Sequence, residues 1–419
     1  MRPAFGSVHS TNGTIVMTSR VHSMTTSAFQ NHRAVWWTFV AATMIVSFVQ
    51  VALAGPREQA ERIHDRLAGV PPTDAVLTSM TNAIAGDPSN GPITAANIAM
   101  NDPHFYSVTL KNWVAPWTNR DQNAFVPLND YMVLVMGMVR DHVPFNQILS
   151  GDILYYGNKI STPVSASNND HYVALETAMH DPNFNPATDL ASMPQSSVYP
   201  VPSAATAGAI TTRAAAQAFF IAGTNRAMFR FTLINHLCMD MEQVHDTSVI
   251  PDRIRQDVSR SPGGDSRVFL NNCIGCHAGM DPLAQAFAYY NYDDTAGTIQ
   301  YTAPTVQPKY FHNNTTFPDG FITPDDSWNN HWREGQNAVI GWSSGLPGSG
   351  NGAKSLGQEL AGTHAFAQCQ VTKVFKAVCL RDPGDAADRA EVDAMTSSFT
   401  NGYDLKPVFA ESAKYCMGN

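Results

Sequence analysis

Two cysteines and a histidine stand at a spacing that suits covalent attachment of a porphyrin. Cys273 and Cys276 are separated by two residues, and His277 follows directly. Each thiol can add to one vinyl group of a haem, and the imidazole of the next residue can then bind the iron. With 6 Cys and 14 His in 419 residues, about 0.003 such matches are expected by chance. The motif predicts one covalently bound haem c, held by Cys273 and Cys276, with His277 as the proximal iron ligand.

Two other chemistries use a pair of cysteines at this spacing. A structural zinc site needs two further ligands, usually a second pair at short spacing, and the chain has no second CxxC and no HxxxH. A thioredoxin-like redox pair needs a buried strand before its first cysteine. Residues 263–272 indicate instead a loop that leads into a short helix. Both alternatives are weaker than haem attachment.

Residues 1–54 have the composition of a signal peptide with a polar N-terminal extension. Residues 1–33 carry three Arg and no Asp or Glu, and an apolar stretch follows over residues 34–53. Ala52-Leu53-Ala54 matches the small-x-small pattern before a signal-peptidase site. An uncleaved membrane anchor is the alternative, because about 20 apolar residues can span a bilayer. Covalent haem attachment in bacteria takes place outside the cytoplasmic membrane, so both features predict a periplasmic or otherwise extracytoplasmic protein.

The mature chain is expected to be acidic. Cleavage after Ala54 removes three of the 26 basic residues and none of the 35 acidic ones, which leaves 23 − 35 = −12. Nucleic-acid binding selects basic patches, so this charge argues against that class of partner. It is compatible with docking to a basic redox partner protein.

Four further cysteines remain after the haem pair. An even number of cysteines in an oxidising compartment predicts two disulfides, with three possible connectivities. Four buried free thiols are the alternative. These cysteines are Cys238, Cys369, Cys379 and Cys416.

Helical periodicity dominates the chain and predicts a mainly α fold. We expect a helical domain over residues 55–262 and a haem-binding, cytochrome-c-like helical domain over residues 263–419. A long irregular insertion, with short strands, is expected within the second domain at about residues 294–350. The predicted helices cover residues 57–67, 73–85, 128–140, 211–235 with a possible break at Gly223, 353–380 and 386–400.

The chain resembles planctomycete-type cytochrome c domain proteins, exported haem proteins first catalogued as domains of unknown function. The segment from Cys273 to Asp293 is similar to their CxxCHxxxDPLxxAxxxxD pattern. Arg62–Pro72 resembles their N-terminal helix with its proline stop, and His364–Phe375 with Phe399–Leu405 resembles their closing helices. The resemblance implies an exported, mostly helical, haem-bearing protein and no particular reaction. The long insertion and the lack of an N-terminal haem motif depart from the usual family members.

Residues near the motif suggest how a haem would be surrounded. Asp281 and Pro282 are typical of a helix start, with Asp at the N-cap and Pro at the first helical position. Arginines at positions 253, 255 and 260 could pair with haem propionates or solvate a loop.

The sixth ligand of the iron is not specified by the motif, and it separates the possible functions. A Met or His there gives a closed electron-transfer haem, whereas an open position can bind peroxide or oxygen. An exported monohaem carrier of single electrons is the first hypothesis. A haem-dependent peroxidase or oxygenase, or an envelope protein that uses haem structurally, are the alternatives. Candidate ligands are Met239, Met241, His312, His331, His364 and Met395, the last more readily explained by core packing.

Overall fold

Helices make up most of this computed structural model, which describes residues 54–220, 223–311 and 319–418. The mainly α prediction is therefore confirmed. Apart from Ala54, the predicted signal peptide lies outside the described residues, as does the candidate ligand His312. Within the described ranges, no helix combines the length and the apolar character needed to cross a membrane.

The helices and strands follow one another along the chain with short connections. The helices are α1 Pro56–Ala68, α2 Asp74–Gly86, α3 Gly91–Ala99, α4 Lys111–Val114, α5 Asp130–Arg140, α6 Asp170–Ala178, α7 Pro186–Asp189, α8 Arg213–Phe219, α9 Arg226–Leu237, α10 Ser266–Asn272, α11 Ile274–Ala284, α12 Gly352–Ala361, α13 His364–Cys379, α14 Ala386–Phe399 and α15 Leu405–Tyr415. The strands are β1 Leu154–Gly157, β2 Leu190–Met193, β3 Tyr290–Asp293, β4 Thr298–Tyr301, β5 Ser327–Asn329 and β6 Ser349–Asn351.

Local capping chemistry sets many of the helix boundaries. Thr73 accepts a hydrogen bond from the backbone N–H of Val76 at the start of α2, and Asn129 accepts one from Met132 at the start of α5. Gly69 adopts a left-handed conformation, with φ 73°, and ends α1 before two prolines. These boundaries agree with the sequence prediction to within one or two residues because caps are local interactions.

The predicted long helix over residues 211–235 is broken into α8 and α9. Thr212 caps α8, and α8 ends at Phe219. Asn225, with φ 58°, stands in the left-handed region immediately before α9. The break lets Arg226 begin a new helix, and α9 packs against both α11 and α13.

One continuous hydrophobic core joins residues on both sides of the predicted boundary between residues 262 and 263. It includes Leu134 of α5, Leu233 of α9, Leu283 of α11 and Val371 of α13. Residues 54–419 form one unit by the clustering of their contacts. The division at residue 262 stays a prediction about evolutionary or folding units, and the helix that carries the haem motif rests on the common core.

The strands form three short antiparallel pairs rather than a sheet of any size. β1 pairs with β2, β3 with β4 and β5 with β6. The second pair aligns Tyr290 with Tyr301, and the third aligns Trp328 with Gly350. These two pairs border or lie within the stretch that was expected to be irregular with short strands.

The four cysteines outside the motif form two disulfides. Cys238 at the end of α9 joins Cys369 in α13, and Cys379 at the end of α13 joins Cys416 just after α15. The alternative of four free thiols is therefore wrong. The helix α13 is thus held covalently at two points, and the C-terminal segment is fastened to it.

Removing the shorter disulfide should destabilise the fold measurably. Cys379 and Cys416 are 37 residues apart, and closing a loop of that length restricts the unfolded chain by about 4 kcal/mol. We expect the double variant C379A/C416A to lose about that free energy of unfolding, measured by denaturant titration. As a control, C238A/C369A opens a loop of 131 residues and should lose about 1 kcal/mol more. Unchanged midpoints for both variants would contradict this expectation.

Candidate functional site

The haem motif lies at the junction of two helices. The short helix α10 runs up to Asn272, and Cys273 follows it as the residue immediately before α11. Cys276 and His277 lie in the first turn of α11. Residues three and four positions apart share a face of a helix, so Cys273, Cys276 and His277 are presented on the same side. The structure therefore brings the three sequence-predicted site residues together.

The two motif cysteines are free thiols and are partly exposed. Neither takes part in a disulfide, although they are close in sequence. The thiol of Cys276 lies 3.8 Å from the backbone oxygen of Met241, and burial raises its pKa. Cys273 packs against a small apolar cluster that includes Ile254, Phe269 and Ala278. Both sulfur atoms thus lie at the edge of the core, with apolar surroundings on one side and solvent on the other.

Two glycines on another face of α11 let neighbouring rings approach its backbone. A Cβ atom at Gly275 would collide with the ring of His245, and one at Gly279 would collide with the indole of Trp332. Trp332 is fully buried. Because Gly275 and Gly279 are four residues apart, they form one packing face, distinct from the face of the cysteines. Sequence reasoning missed Trp332 and His245, since nothing local links them to the motif.

His277 has a defined partner within its own helix. Its Nδ1 lies 3.1 Å from Oδ2 of Asp281, one helical turn further on. A carboxylate accepts hydrogen bonds, so the proton of the neutral imidazole is assigned to Nδ1 and Nε2 is left as the basic nitrogen. Metal-bound histidines typically donate their other ring N–H to such an acceptor. The histidine is thus held in the tautomer and orientation that an iron ligand requires.

Asp281 is completely buried and is held by two arginines. Arg226 donates to it from Nε over 2.6 Å and from Nη2 over 3.0 Å. The buried Arg255 donates from Nη2 to the backbone oxygen of Asp281 over 3.0 Å, and its Nη1 lies 3.8 Å from Oδ1. Arg226 also binds Asp257 with both Nη atoms. Four charged side chains from three separate segments therefore meet behind His277.

The charges at Asp281 outweigh the effect of burial. Burial alone would raise the pKa of the Asp281 carboxyl, but the nearby Arg226, the hydrogen bond from His277 and the charge of Arg255 hold that pKa well below its usual value. Burial lowers the pKa of Arg255, although the charge of Asp281 opposes this. Asp281 is therefore a carboxylate at neutral pH despite its complete burial.

The expectation that Asp281 and Pro282 begin a helix is wrong. α11 starts at Ile274 and continues without interruption to Ala284, with Pro282 inside it. Proline lacks an N–H and crowds the preceding turn, so this position is locally unfavourable. The helix continues through it because Asp281 is engaged by His277, Arg226 and Arg255. Local propensity is overridden here by a tertiary ion-pair network.

The candidate sixth ligands occupy different environments. His331 donates or accepts at Nε2 with Asp252 over 2.9 Å and lines a cavity of about 580 Å³ together with Asp246 and Glu334. Met395 is buried in the core, where its sulfur accepts a hydrogen bond from Ser412 over 3.5 Å. His364 is the first residue of α13. The remaining described candidates are Met239, which is partly buried, and Met241, whose backbone contacts Cys276.

Among the described residues, no three His, Cys, Asp or Glu side chains are grouped as a metal-ion site. In comparisons with known proteins, no family model, no curated protein and no solved structure matches this chain. Any function assigned to it therefore depends on the residues and the geometry described above.

Removing the arginine that holds Asp281 should cost considerably more than removing a similar arginine at the surface. Arg226 and Arg230 lie one turn apart on α9, and each grips an aspartate with two nitrogens. R226M leaves buried Asp281 without its closest cation, so we expect a loss of about 3 kcal/mol in the free energy of unfolding. R230M breaks an exposed pair with Asp240 and should lose less than about 1 kcal/mol. Similar losses in the two variants, by denaturant titration, would argue against the buried network.

The same network predicts how stability depends on pH. The folded-state pKa of Asp281 is depressed, so its contribution is fully present above the unfolded value of about 4 and is lost as the pH falls through the folded value. R226M should bring the two values closer, so it should lose less stability than wild type between about pH 5 and pH 3. Denaturation midpoints across this range measure the effect, and parallel curves would contradict it.

Proposed function

We propose that this protein is an exported monohaem c-type cytochrome that transfers single electrons. Cys273 and Cys276 would hold the haem through thioether bonds, and His277 would bind the iron through Nε2. When bound, haem c supplies a one-electron Fe(III)/Fe(II) couple. The observation that carries the proposal is the arrangement of the two free thiols and an oriented imidazole on one face of α11.

The division of the cysteines supports this proposal. Four of the six cysteines are paired in disulfides, and the two that are free are those of the CxxCH motif. An oxidising compartment favours disulfides, so two thiols kept apart from that pairing are suited to a different covalent bond. Their partial exposure leaves both sulfur atoms accessible to the vinyl groups of a porphyrin.

The finer assignments belong to the same proposal. We assign the cytochrome-c-like region to residues 263–419, with the insertion at about residues 294–350, and we place the chain near the planctomycete-type cytochrome c domain proteins. Export rests on the predicted signal peptide over residues 1–54 and is compatible with two disulfides. A basic redox protein is the partner that suits a mature charge of −12, obtained from 23 basic and 35 acidic residues.

A haem-dependent oxidoreductase is a second candidate, and one cavity favours it. The cavity of about 580 Å³ contains Val249 in its lining, and Val249 also packs against the apolar cluster that contacts Cys273. The pair of His331 and Asp252 in this cavity has the composition of a general acid–base pair. An open sixth position beside such a cavity would admit a small ligand such as peroxide.

Covalent haem should depend on both thiols of the motif. We expect the protein, exported in a host with cytochrome c maturation, to show a c-type pyridine haemochrome spectrum with one haem per chain. C273S/C276S should lose all covalent haem, because serine forms no thioether. C379A/C416A removes two other cysteines and should keep it. Absence of haem from the wild-type protein would refute the proposal, and an unchanged fold in C273S/C276S would exclude haem as a structural staple.

The absorption spectrum of the ferric protein distinguishes the two candidate functions. A carrier with both axial positions filled should give a low-spin spectrum that cyanide and CO leave unchanged. A high-spin spectrum that shifts when these ligands are added would reject the carrier and favour the oxidoreductase. H331Q, compared with H364Q as a control, tests whether the cavity contributes: only the former should alter ligand affinity if the cavity lies over the iron.

A further inference from the structure

We infer that Asp281 is a positioning residue for the proximal histidine and that it lowers the reduction potential of the bound haem. This inference rests on the proposed function, because it needs iron on Nε2 of His277. The contact that carries it is the 3.1 Å hydrogen bond between Nδ1 of His277 and Oδ2 of Asp281. A carboxylate is a stronger acceptor than the neutral groups that can receive the same proton.

The carboxylate is fixed in place rather than free to turn towards solvent. Asp281 has no exposed side-chain surface, whereas His277 is 20% exposed. Arg226 donates to both oxygens of Asp281, and Arg255 donates to its backbone oxygen. The one carboxylate therefore faces two cations and the imidazole at once. A group held in this way orients the ring of His277 without rearranging when the iron changes its charge.

The chemical effect follows from the direction of the hydrogen bond. His277 donates its Nδ1 proton to a negative charge, which increases electron density at Nε2 and makes the imidazole a stronger donor. A stronger axial donor stabilises ferric iron more than ferrous iron. Hydrogen bonding behind an axial ligand is one of the means by which a protein sets the potential of a haem. Asp281 should thus favour the oxidised state.

The two arginines limit this effect without cancelling it. Arg226 shares its charge between Asp281 and Asp257, so these three groups together carry one negative charge. Arg255 adds a positive charge, and its Nε and Nη1 have no hydrogen-bond partner. The group of four is neutral overall, so the influence of Asp281 on the iron comes chiefly from the directed hydrogen bond. This neutrality allows a variant in which net charge is conserved.

The test compares the reduction potentials of haem-loaded proteins by mediated redox titration. D281N keeps the size of the side chain and replaces the carboxylate by a weaker acceptor. We expect the ratio of reduced to oxidised haem at a fixed potential to rise at least tenfold, which is a shift of about +59 mV for one electron. R230M, which alters an exposed ion pair on α9, is the control and should leave the potential unchanged.

A second variant covers the possibility that D281N folds poorly, because it leaves Arg255 without a counter-charge. D281N/R255M removes one negative and one positive charge, and it leaves Arg226 paired with Asp257. It should also raise the potential by at least the tenfold equivalent, because the hydrogen bond to a carboxylate is still lost. A potential equal to that of the wild type in the double variant would overturn the inference.

The outcomes separate this inference from the proposed function. A wild-type protein without a c-type pyridine haemochrome spectrum would refute haem binding itself. A wild type with haem, and D281N with the same haem content and the same potential, would leave haem binding intact and refute the role of Asp281. In the ferrous form, a lower Fe–His stretching frequency in D281N by resonance Raman spectroscopy should accompany the change in potential, and a purely structural role would not produce it.

Discussion

A fully buried carboxylate is the interaction on which the arrangement of the candidate site depends. Asp281 cannot stay charged in the core unless cations and hydrogen bonds replace the water that it has lost. Arg226 comes from the start of α9 and Arg255 from the connection before α10, so three segments must converge to satisfy it. The same carboxylate holds His277. The stability of the fold and the orientation of the imidazole are consequently linked through one side chain.

The helix α11 performs two tasks on two faces. Gly275 and Gly279 allow His245 and Trp332 to pack directly on its backbone, which anchors the helix. Cys273, Cys276 and His277 are presented on another face, where their side chains are only partly covered. Helical periodicity makes this separation possible in a segment of eleven residues. A larger residue at either glycine would move the helix and with it the spacing of the thiols from their surroundings.

The disulfides stabilise the support of the site rather than the site itself. Both are formed with α13, which packs against α9, and α9 in turn contacts α11. Cys238 lies shortly before Met241, whose backbone oxygen contacts the thiol of Cys276. The oxidised cysteines thus hold the elements around the motif, whereas the two reduced cysteines stay chemically free. This division of the cysteines is the feature that most favours a covalent cofactor.

Local chemistry in the sequence determined the helical class, many helix boundaries and the identity of the motif. Thr73 and Asn129 cap helices through bonds to residues three positions away, so these boundaries could be predicted. The pairing of the cysteines and the role of Asp281 depended on tertiary structure, because Arg226 lies 55 residues from Asp281. Local propensity placed a helix start at Asp281 and Pro282, and long-range ion pairs reversed that outcome. Short-range contacts can be inferred from neighbouring residues, whereas the burial that turned Asp281 into the partner of His277 exists only in the folded chain.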